Sequence, residues 1–147
     1  MAARAVTSGL LLADTSVWHW ARHADARDAL QPVLTRGIVA TCAIVDAELM
    51  VSARGPGDAD DMAAERRALH WLTTPDDVWD TVLATQRALV DSSRHRTVKI
   101  PDLIIAAVGQ RHGATVLHYD ADYDAIAEIT EQSTRWLAPR GTLVSSY

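Results

Sequence analysis

Residues 10–14 read Leu-Leu-Leu-Ala-Asp, a short apolar run that ends at an acid. A run of this length and composition predicts a strand that is buried on both faces, as in a parallel sheet. Residues 38–40 and 115–118 are short apolar runs of the same kind. Helical patterns separate the three runs. The sequence therefore predicts an α/β fold with a central parallel sheet and helices on both of its faces.

The helical segments are recognised by apolar residues at helical spacing and by capping residues at their ends. A cluster of Gly, Pro and Asp at residues 54–58 predicts a turn, and residues 73–75 interrupt a second helical pattern. A last strand is expected at residues 135–137, before a short C-terminal tail. The predicted helices lie at residues 17–20, 25–34, 41–53, 60–72, 82–94, 101–112 and 123–129.

The composition predicts one compact domain, residues 1–147, with enough apolar residues for a core. Hydrophobic residues make up 48% of the chain although it contains no Phe. Cys42 is the only cysteine, which excludes an internal disulfide and favours a reducing compartment. The apolar run near the N-terminus is too short for a signal-peptide core or a membrane span, so we expect a cytoplasmic protein.

Four acids lie beside apolar segments, where a carboxylate needs a compensating proton, cation or hydrogen-bond donor. Asp14 and Asp120 follow predicted strands, and the carboxyl ends of parallel strands are where ligands bind in such sheets. Glu48 faces apolar neighbours on its helix, and Asp102 begins the most apolar helix. Acids in this pattern predict a site for a hard divalent cation, which prefers oxygen ligands.

Two of these acids also have a purely structural interpretation. Asp14 is suited to cap the next helix, and Asp102 is a favourable first-turn acid, a position that stabilises a helix by roughly 0.3–1 kcal/mol. Asp46, two residues before Glu48, also has apolar neighbours at helical spacing. Periodicity alone does not choose between these two acids.

The acids Asp120, Asp122 and Asp124, together with Glu131, occupy positions one, three, five and twelve of a calcium-binding EF-hand loop. The sixth position of such a loop requires Gly, and here it is Ala125. A predicted strand, not a helix, leads into the motif. We therefore interpret Asp120 and Asp122 as acids on a strand-to-helix loop.

The net charge of −5 argues against a general polyanion binder, but one segment is locally basic. Arg94, Arg96 and Lys99 lie just before Asp102. They are candidates for holding a phosphate backbone next to the acids. The alternative is a solvated basic helix end with no binding role.

Four stretches in order along the chain together resemble the PIN-domain ribonucleases, and specifically the VapC-type toxins of bacterial toxin–antitoxin pairs. They are residues 11–18, 41–49, 100–107 and 116–127. Each stretch contains one of the four acids, and in the second of them the resemblance selects Glu48 over Asp46. The resemblance covers about residues 9–138.

The resemblance implies a three-layer α/β/α sandwich and RNA cleavage that depends on Mg²⁺ or Mn²⁺. The catalytic residues would be Asp14, Glu48, Asp102 and Asp120, and the same four acids together with Asp122 would hold the metal. It also implies a homodimer that is neutralised by a small antitoxin. Within this scheme we expect transfer RNA to be cleaved in preference to ribosomal or messenger RNA, which would inhibit translation.

Thr15 and Ser16 are expected to orient the first carboxylate of this set. Two other functional classes remain open at this point. The chain could be a catalytically idle PIN-like binding module, or a metal-dependent phosphoesterase acting on small substrates. Metal binding at the acids would argue against the first, and cleavage of RNA would argue against the second.

Overall fold

The computed structural model describes residues 7–143, which form five strands and seven helices. Residues 144–147 of the predicted tail lie outside the described part. The strands are β1 Leu11–Ala13, β2 Val39–Cys42, β3 His70–Leu72, β4 Thr115–His118 and β5 Thr134–Trp136. The helices are α1 Thr15–Trp20, α2 Ala24–Thr35, α3 Ala43–Met50, α4 Pro56–Arg66, α5 Val78–Asp91, α6 Ile100–Arg111 and α7 Asp122–Thr130.

All five strands pair in parallel, in the order β3-β2-β1-β4-β5, so β1 is at the centre of the sheet. Alternate residues of β1 enter separate cores. Leu12 packs with residues of α3, α5, α6 and α7, whereas Leu11 and Ala13 pack with α1 and α2. Helices therefore cover both faces, and the predicted three-layer α/β fold is confirmed.

Strand β3 is the element that the sequence pattern did not reveal. The helix expected to run to Leu72 ends at Arg66, and the chain then pairs with β2. Leu72 is buried as expected, but it points into the core from a strand whose other two residues are exposed. A three-residue edge strand has too few residues for alternation to distinguish it from the end of a helix.

Several predicted boundaries also move. The turn at residues 54–58 is shorter than expected because Pro56 already occupies the first position of α4, where its missing N–H is not needed. Strand β2 continues to Cys42, so α3 starts two residues later than predicted. It ends at Met50, before the predicted end at residue 53. Helix α5 starts at Val78 and ends at Asp91, and β5 lies one residue earlier than expected.

Helix α6 is buried along most of its length, as its composition predicts. Gly109 lies on the side that packs against β4, where an added Cβ would be 3.0 Å from a methyl group of Val116 and 3.2 Å from the amide nitrogen of Gln132. Close approach of the helix to the sheet thus depends on a residue without a side chain. Within residues 7–143, every helix is too short or too polar to cross a membrane.

Candidate metal and catalytic site

The acids that follow β1 and β4 meet at one edge of the sheet because these two strands are neighbours in register. Ala13 pairs with Leu117, and the backbone N–H of Asp14 donates to the carbonyl of Leu117 at 2.9 Å. Asp120 follows two residues after the end of β4. The carboxyl ends of the central strands thus place acids from distant parts of the chain side by side.

Asp14 is 2% exposed and has three hydrogen-bond donors. One carboxylate oxygen accepts from the backbone N–H of Ser16 at 3.1 Å and from its hydroxyl at 2.6 Å. The Ser16 oxygen in turn accepts from the backbone N–H of Tyr119, just after β4, at 2.9 Å. Asp14 therefore caps α1, as its structural interpretation proposed, and is held in place by the predicted orienting residue Ser16.

Asp102, Asp120 and Asp122 form the tightest group of acids in the described part of the chain. One carboxylate oxygen of each lies within 4.8 Å of the others. The backbone N–H of Asp122 donates to Asp120 at 2.9 Å, which fixes the loop that carries both. Asp102 is 7% exposed, and its Oδ2 is buried without a hydrogen-bond partner among residues 7–143.

An unpaired buried carboxylate oxygen is costly, so burial disfavours the anionic form of Asp102. Burial raises the pKa of Asp102 to about 8, and the negative charges of Asp14, Asp120 and Asp122 contribute to the shift. Near neutral pH this carboxyl group therefore binds a proton unless another positive charge replaces it.

Tyr123 joins Asp14 to this group and was not anticipated as a site residue. It is fully buried, and its hydroxyl lies 2.7 Å from Asp14 Oδ1 and 3.3 Å from Asp102 Oδ1. Burial, followed by the charges of Asp14 and Asp102, raises the pKa of Tyr123 well above its ordinary value, so it acts as a donor. The sequence signal that could have revealed Tyr123 is its place on the buried face of a helix, next to acidic residues. A buried Tyr hydroxyl needs a hydrogen-bond partner.

Glu48 and Asp46 have different environments, which separates the two alternatives left open by periodicity. Glu48 accepts a hydrogen bond from the Thr15 hydroxyl at 2.7 Å, next to Asp14 in the chain. Asp46 instead bonds Arg66 at 2.9 Å and the Thr41 hydroxyl at 2.7 Å. Thr15 was expected to orient Asp14, but it holds Glu48 instead.

Arg66 keeps Asp46 away from the site. Its guanidinium also donates to Thr41 at 2.9 Å and lies over the ring of Trp18, 4.2 Å from the ring centroid. These contacts tie α4 to β2, α3 and α1. Of the two acids, Glu48 is the one that contacts the start of α1, through Thr15, and it lies outside the group formed by Asp102, Asp120 and Asp122.

The three basic residues considered for RNA binding have different positions. Arg94 pairs with Glu128 on α7, and Arg96 is exposed. Lys99 lies at the acid cluster, with its Nζ 3.5 Å from Asp120, and its backbone N–H donates to Asp122 at 3.4 Å. The charge of Asp120, with those of Asp102 and Asp122, raises the pKa of Lys99.

His118 is a second unanticipated contributor. It is fully buried at the end of β4, and its Nδ1 accepts the backbone N–H of Asp120 at 3.2 Å. Its ring packs between Tyr123 and Trp136 at centroid distances of 4.8 and 4.9 Å. Burial lowers the pKa of His118, so the ring is neutral and serves to orient the loop that starts at Asp120.

The donor set fits a hard divalent cation. Asp102, Asp120 and Asp122 offer converging carboxylate oxygens, the kind of ligand that Mg²⁺ and Mn²⁺ prefer. The Oδ2 of Asp102 receives no hydrogen bond from a donor group of the described chain and is therefore available as a ligand atom. A cation bound here would supply the positive charge that the proton on Asp102 otherwise provides.

Comparison with known proteins identifies the family. The PIN domain family model matches residues 11–129. Ribonuclease VapC21 of Mycobacterium tuberculosis is 46% identical over 132 residues, which cover 89% of this chain and 96% of that protein. Ribonuclease VapC51 of the same organism is 39% identical over 132 residues, with 90% and 96% covered.

Solved structures agree at the level of the fold. VapBC-1 from nontypeable Haemophilus influenzae has a TM-score of 0.72 at 14% identity, covering 87% of this chain and 98% of that chain. This chain belongs to the PIN-domain family, and within that family to the VapC ribonucleases. The resemblance drawn from the four sequence stretches is thereby confirmed.

Proposed function

We propose that this protein is a Mg²⁺- or Mn²⁺-dependent endoribonuclease that acts as the toxin of a toxin–antitoxin pair. The observation that carries the proposal is the unpartnered carboxylate oxygen of Asp102 within the group formed with Asp120 and Asp122. The sequence similarity to ribonucleases of the VapC family supports the reaction class. Because the proposed substrate is cellular RNA, we propose that the protein acts in the cytoplasm.

Asp102, Asp120 and Asp122 would hold the cation, and Asp14, linked to Asp102 through Tyr123, and Glu48, bonded to Thr15, would complete the acidic set. A bound divalent cation lowers the pKa of a coordinated water and stabilises the charge on the phosphate during hydrolysis. The chain itself fixes the carboxylates. Tyr123 holds Asp14 next to Asp102, and Thr15 and Ser16 hold Glu48 and Asp14.

Replacement of Asp102 by Asn tests the catalytic assignment. Asp102→Asn keeps the side-chain shape but removes the anionic ligand, so we expect RNA cleavage in Mg²⁺ to fall by at least about 100-fold. Asp61→Asn, at an exposed position of α4, is the matched control and should cleave like the wild type. Wild-type cleavage by a pure, folded Asp102→Asn protein would refute the metal-site assignment.

The same preparations separate the two alternative classes. Absence of RNA cleavage together with absence of calorimetric Mn²⁺ binding at the acids would indicate an idle binding module. Turnover of a small phosphodiester such as bis(p-nitrophenyl) phosphate, with RNA left intact, would indicate a phosphoesterase of small substrates. RNA cleavage that is lost in Asp102→Asn excludes both.

We propose transfer RNA as the preferred target, because a structured loop suits a small protein with a single local basic segment. Inhibition of translation would follow from loss of the cleaved RNA. Mapping new 5′ ends across all cellular RNAs after induction, with Asp14→Asn as control, tests this choice. A dominant set of ends in ribosomal or messenger RNA would contradict it.

We propose a small VapB-like antitoxin as the partner that neutralises the protein. Structures with the same fold include a toxin–antitoxin complex from Klebsiella pneumoniae, with a TM-score of 0.68 and 18% identity. If a small gene beside this one encodes the antitoxin, its co-expression should restore growth to cells that express the toxin. Failure to restore growth, with both proteins present, would exclude that gene product.

A further inference from the structure

Within residues 7–143, Lys99 has a position that no other basic residue shares. The chain contains fourteen basic residues, of which thirteen are Arg and one is Lys. Among residues 7–143, Lys99 is the only basic residue that forms an ion pair with any of the five proposed site acids. The ion pairs formed by Arg66 and Arg94 involve Asp46 and Glu128 instead.

The backbone of Lys99 is held by hydrogen bonds, whereas its side chain is largely exposed to solvent. Lys99 is the N-cap of α6, three residues before Asp102, and its backbone N–H donates to Asp122. The side chain is 70% exposed, and its Nζ lies 3.5 Å from Asp120. A long, exposed contact of this kind is weak and easily exchanged. Lys99 therefore places a positive charge at the edge of the acid cluster on a flexible side chain whose backbone is fixed.

The chemistry of the ammonium group suits a carboxylate cluster. It is a compact point charge on a four-carbon stem, whereas the guanidinium of Arg is a broad planar fork. Asp120, to which it is paired, is also one of the three acids whose oxygens converge. A divalent cation on these oxygens and the ammonium beside them would repel each other.

We propose that Lys99 is a tethered counter-ion of the acid cluster, which competes with the divalent cation and turns toward the substrate phosphate when the cation binds. The first part concerns the metal-free protein and does not depend on the substrate. The second part rests on the proposed ribonuclease function. In this scheme one side chain partly neutralises the acids when they hold no metal and binds the phosphate when they do.

Mn²⁺ affinity, measured without RNA, tests the competition. Lys99→Met removes the charge but keeps an apolar stem of similar length, so Mn²⁺ should bind about fivefold more tightly. Arg96→Met removes one charge from the same exposed segment and should bind Mn²⁺ within about twofold of the wild type. Unchanged affinity in Lys99→Met, or equal tightening in both variants, would refute the competition.

The single lysine allows a direct observation of the displacement. Reductive methylation with ¹³C labels Lys99 and the α-amine, and both groups keep their positive charge. Addition of Mg²⁺ should shift the Lys99 resonance with the same midpoint as calorimetric binding, while the α-amine signal stays constant. A Lys99 resonance that does not move up to metal saturation would overturn the proposal.

The phosphate contact is tested by cleavage at saturating Mn²⁺. The loss of one charge-assisted contact in Lys99→Met should raise KM for RNA about tenfold and leave kcat nearly unchanged. An unchanged KM would refute the phosphate contact. If the wild type cleaves no RNA, the proposed function fails, whereas the affinity and resonance measurements still decide the competition.

Discussion

At the scale of single residues, the site is defined by Asp102 and Tyr123. Tyr123 provides one hydroxyl for two carboxylates, so only one of them receives its proton at a time. Asp102 keeps an oxygen with no partner in the described chain. In the metal-free site Lys99 pairs with Asp120 and leaves Asp102 without a cation of its own, so protonation of Asp102 compensates for this near neutral pH.

The proton bound by Asp102 predicts how the stability of the metal-free protein depends on pH. The pKa of Asp102 is about 8 when folded, above its unfolded value of roughly 3.9. Between these values the folded state keeps a proton that the unfolded state has lost. Stability should therefore fall as pH rises through this window, by about 2 kcal/mol from roughly pH 6 to 7.5.

Urea unfolding at several pH values in EDTA measures this slope. Asp102→Asn has no titratable group at this position and should show a flatter slope than the wild type. Other titrating groups are common to both proteins, so the difference reports Asp102. Parallel slopes for the two proteins would contradict the prediction.

At the scale of elements, α3 carries two acids with separate tasks. Asp46 joins α3 to α4 through Arg66, whose side chain is only 11% exposed. Glu48 lies beside the start of α1 through Thr15. One helix thus contributes a structural contact and a proposed catalytic acid, two residues apart.

Substitutions in α3 should separate these tasks. Asp46→Asn leaves the charge of Arg66 without its partner and should lower the free energy of unfolding by about 1–3 kcal/mol, with cleavage per folded molecule retained. Glu48→Gln should reduce cleavage and change stability by less than about 0.5 kcal/mol. Thermal unfolding and RNA cleavage of both variants measure this, and the reverse pattern would exchange the two roles.

The contact of α6 with β4 yields a second prediction at this scale. Gly109→Ala should gain up to about 1 kcal/mol in helix propensity, but its methyl group would press on Val116, which is fully buried. Overpacking a buried site costs about 1–3 kcal/mol, so we expect a net loss of about 1 kcal/mol. Urea unfolding measures the change. A more stable variant would contradict the prediction and show that Val116 and its strand shift to accommodate the added methyl group.

At the scale of the whole molecule, α5 presents an apolar stripe without a partner in the described chain. Trp79, Leu83 and Val90 lie on one side of this helix and are 50%, 60% and 43% exposed. Asp80 and Arg87 flank Leu83 at similar distances along the helix. In an antiparallel pair of α5 helices centred near Leu83, each Asp80 would face the Arg87 of the other copy.

We therefore expect the homodimer implied by the family resemblance to form through α5. Leu83→Glu places a charge at the centre of this contact and should shift the protein to monomer in sedimentation velocity. Val51→Glu is the control, because Val51 is also an exposed apolar residue but lies after α3. A dimer that persists in Leu83→Glu would exclude this surface.

The sequence predicted a parallel sheet, the carboxyl ends of β1 and β4, and the acids that follow these two strands. These features depend on local runs of residues. Strand β3 and the Arg66–Asp46 pair were not predictable in this way. Both depend on which distant segments become neighbours once the sheet is assembled. The assignments of Tyr123 and His118 likewise required knowing what surrounds each side chain.

The order of the strands has a consequence for biosynthesis. The segment up to Leu72 contains the three strands β1, β2 and β3, which form one half of the sheet. The same segment contains Asp14 and Glu48. The remaining acids, together with Tyr123, enter only when α6, β4 and the start of α7 have been added. A chain still on the ribosome and not yet translated past that point therefore has no complete site. The proposed activity therefore requires synthesis to pass Tyr123, so a shorter nascent chain cannot cleave RNA through this site.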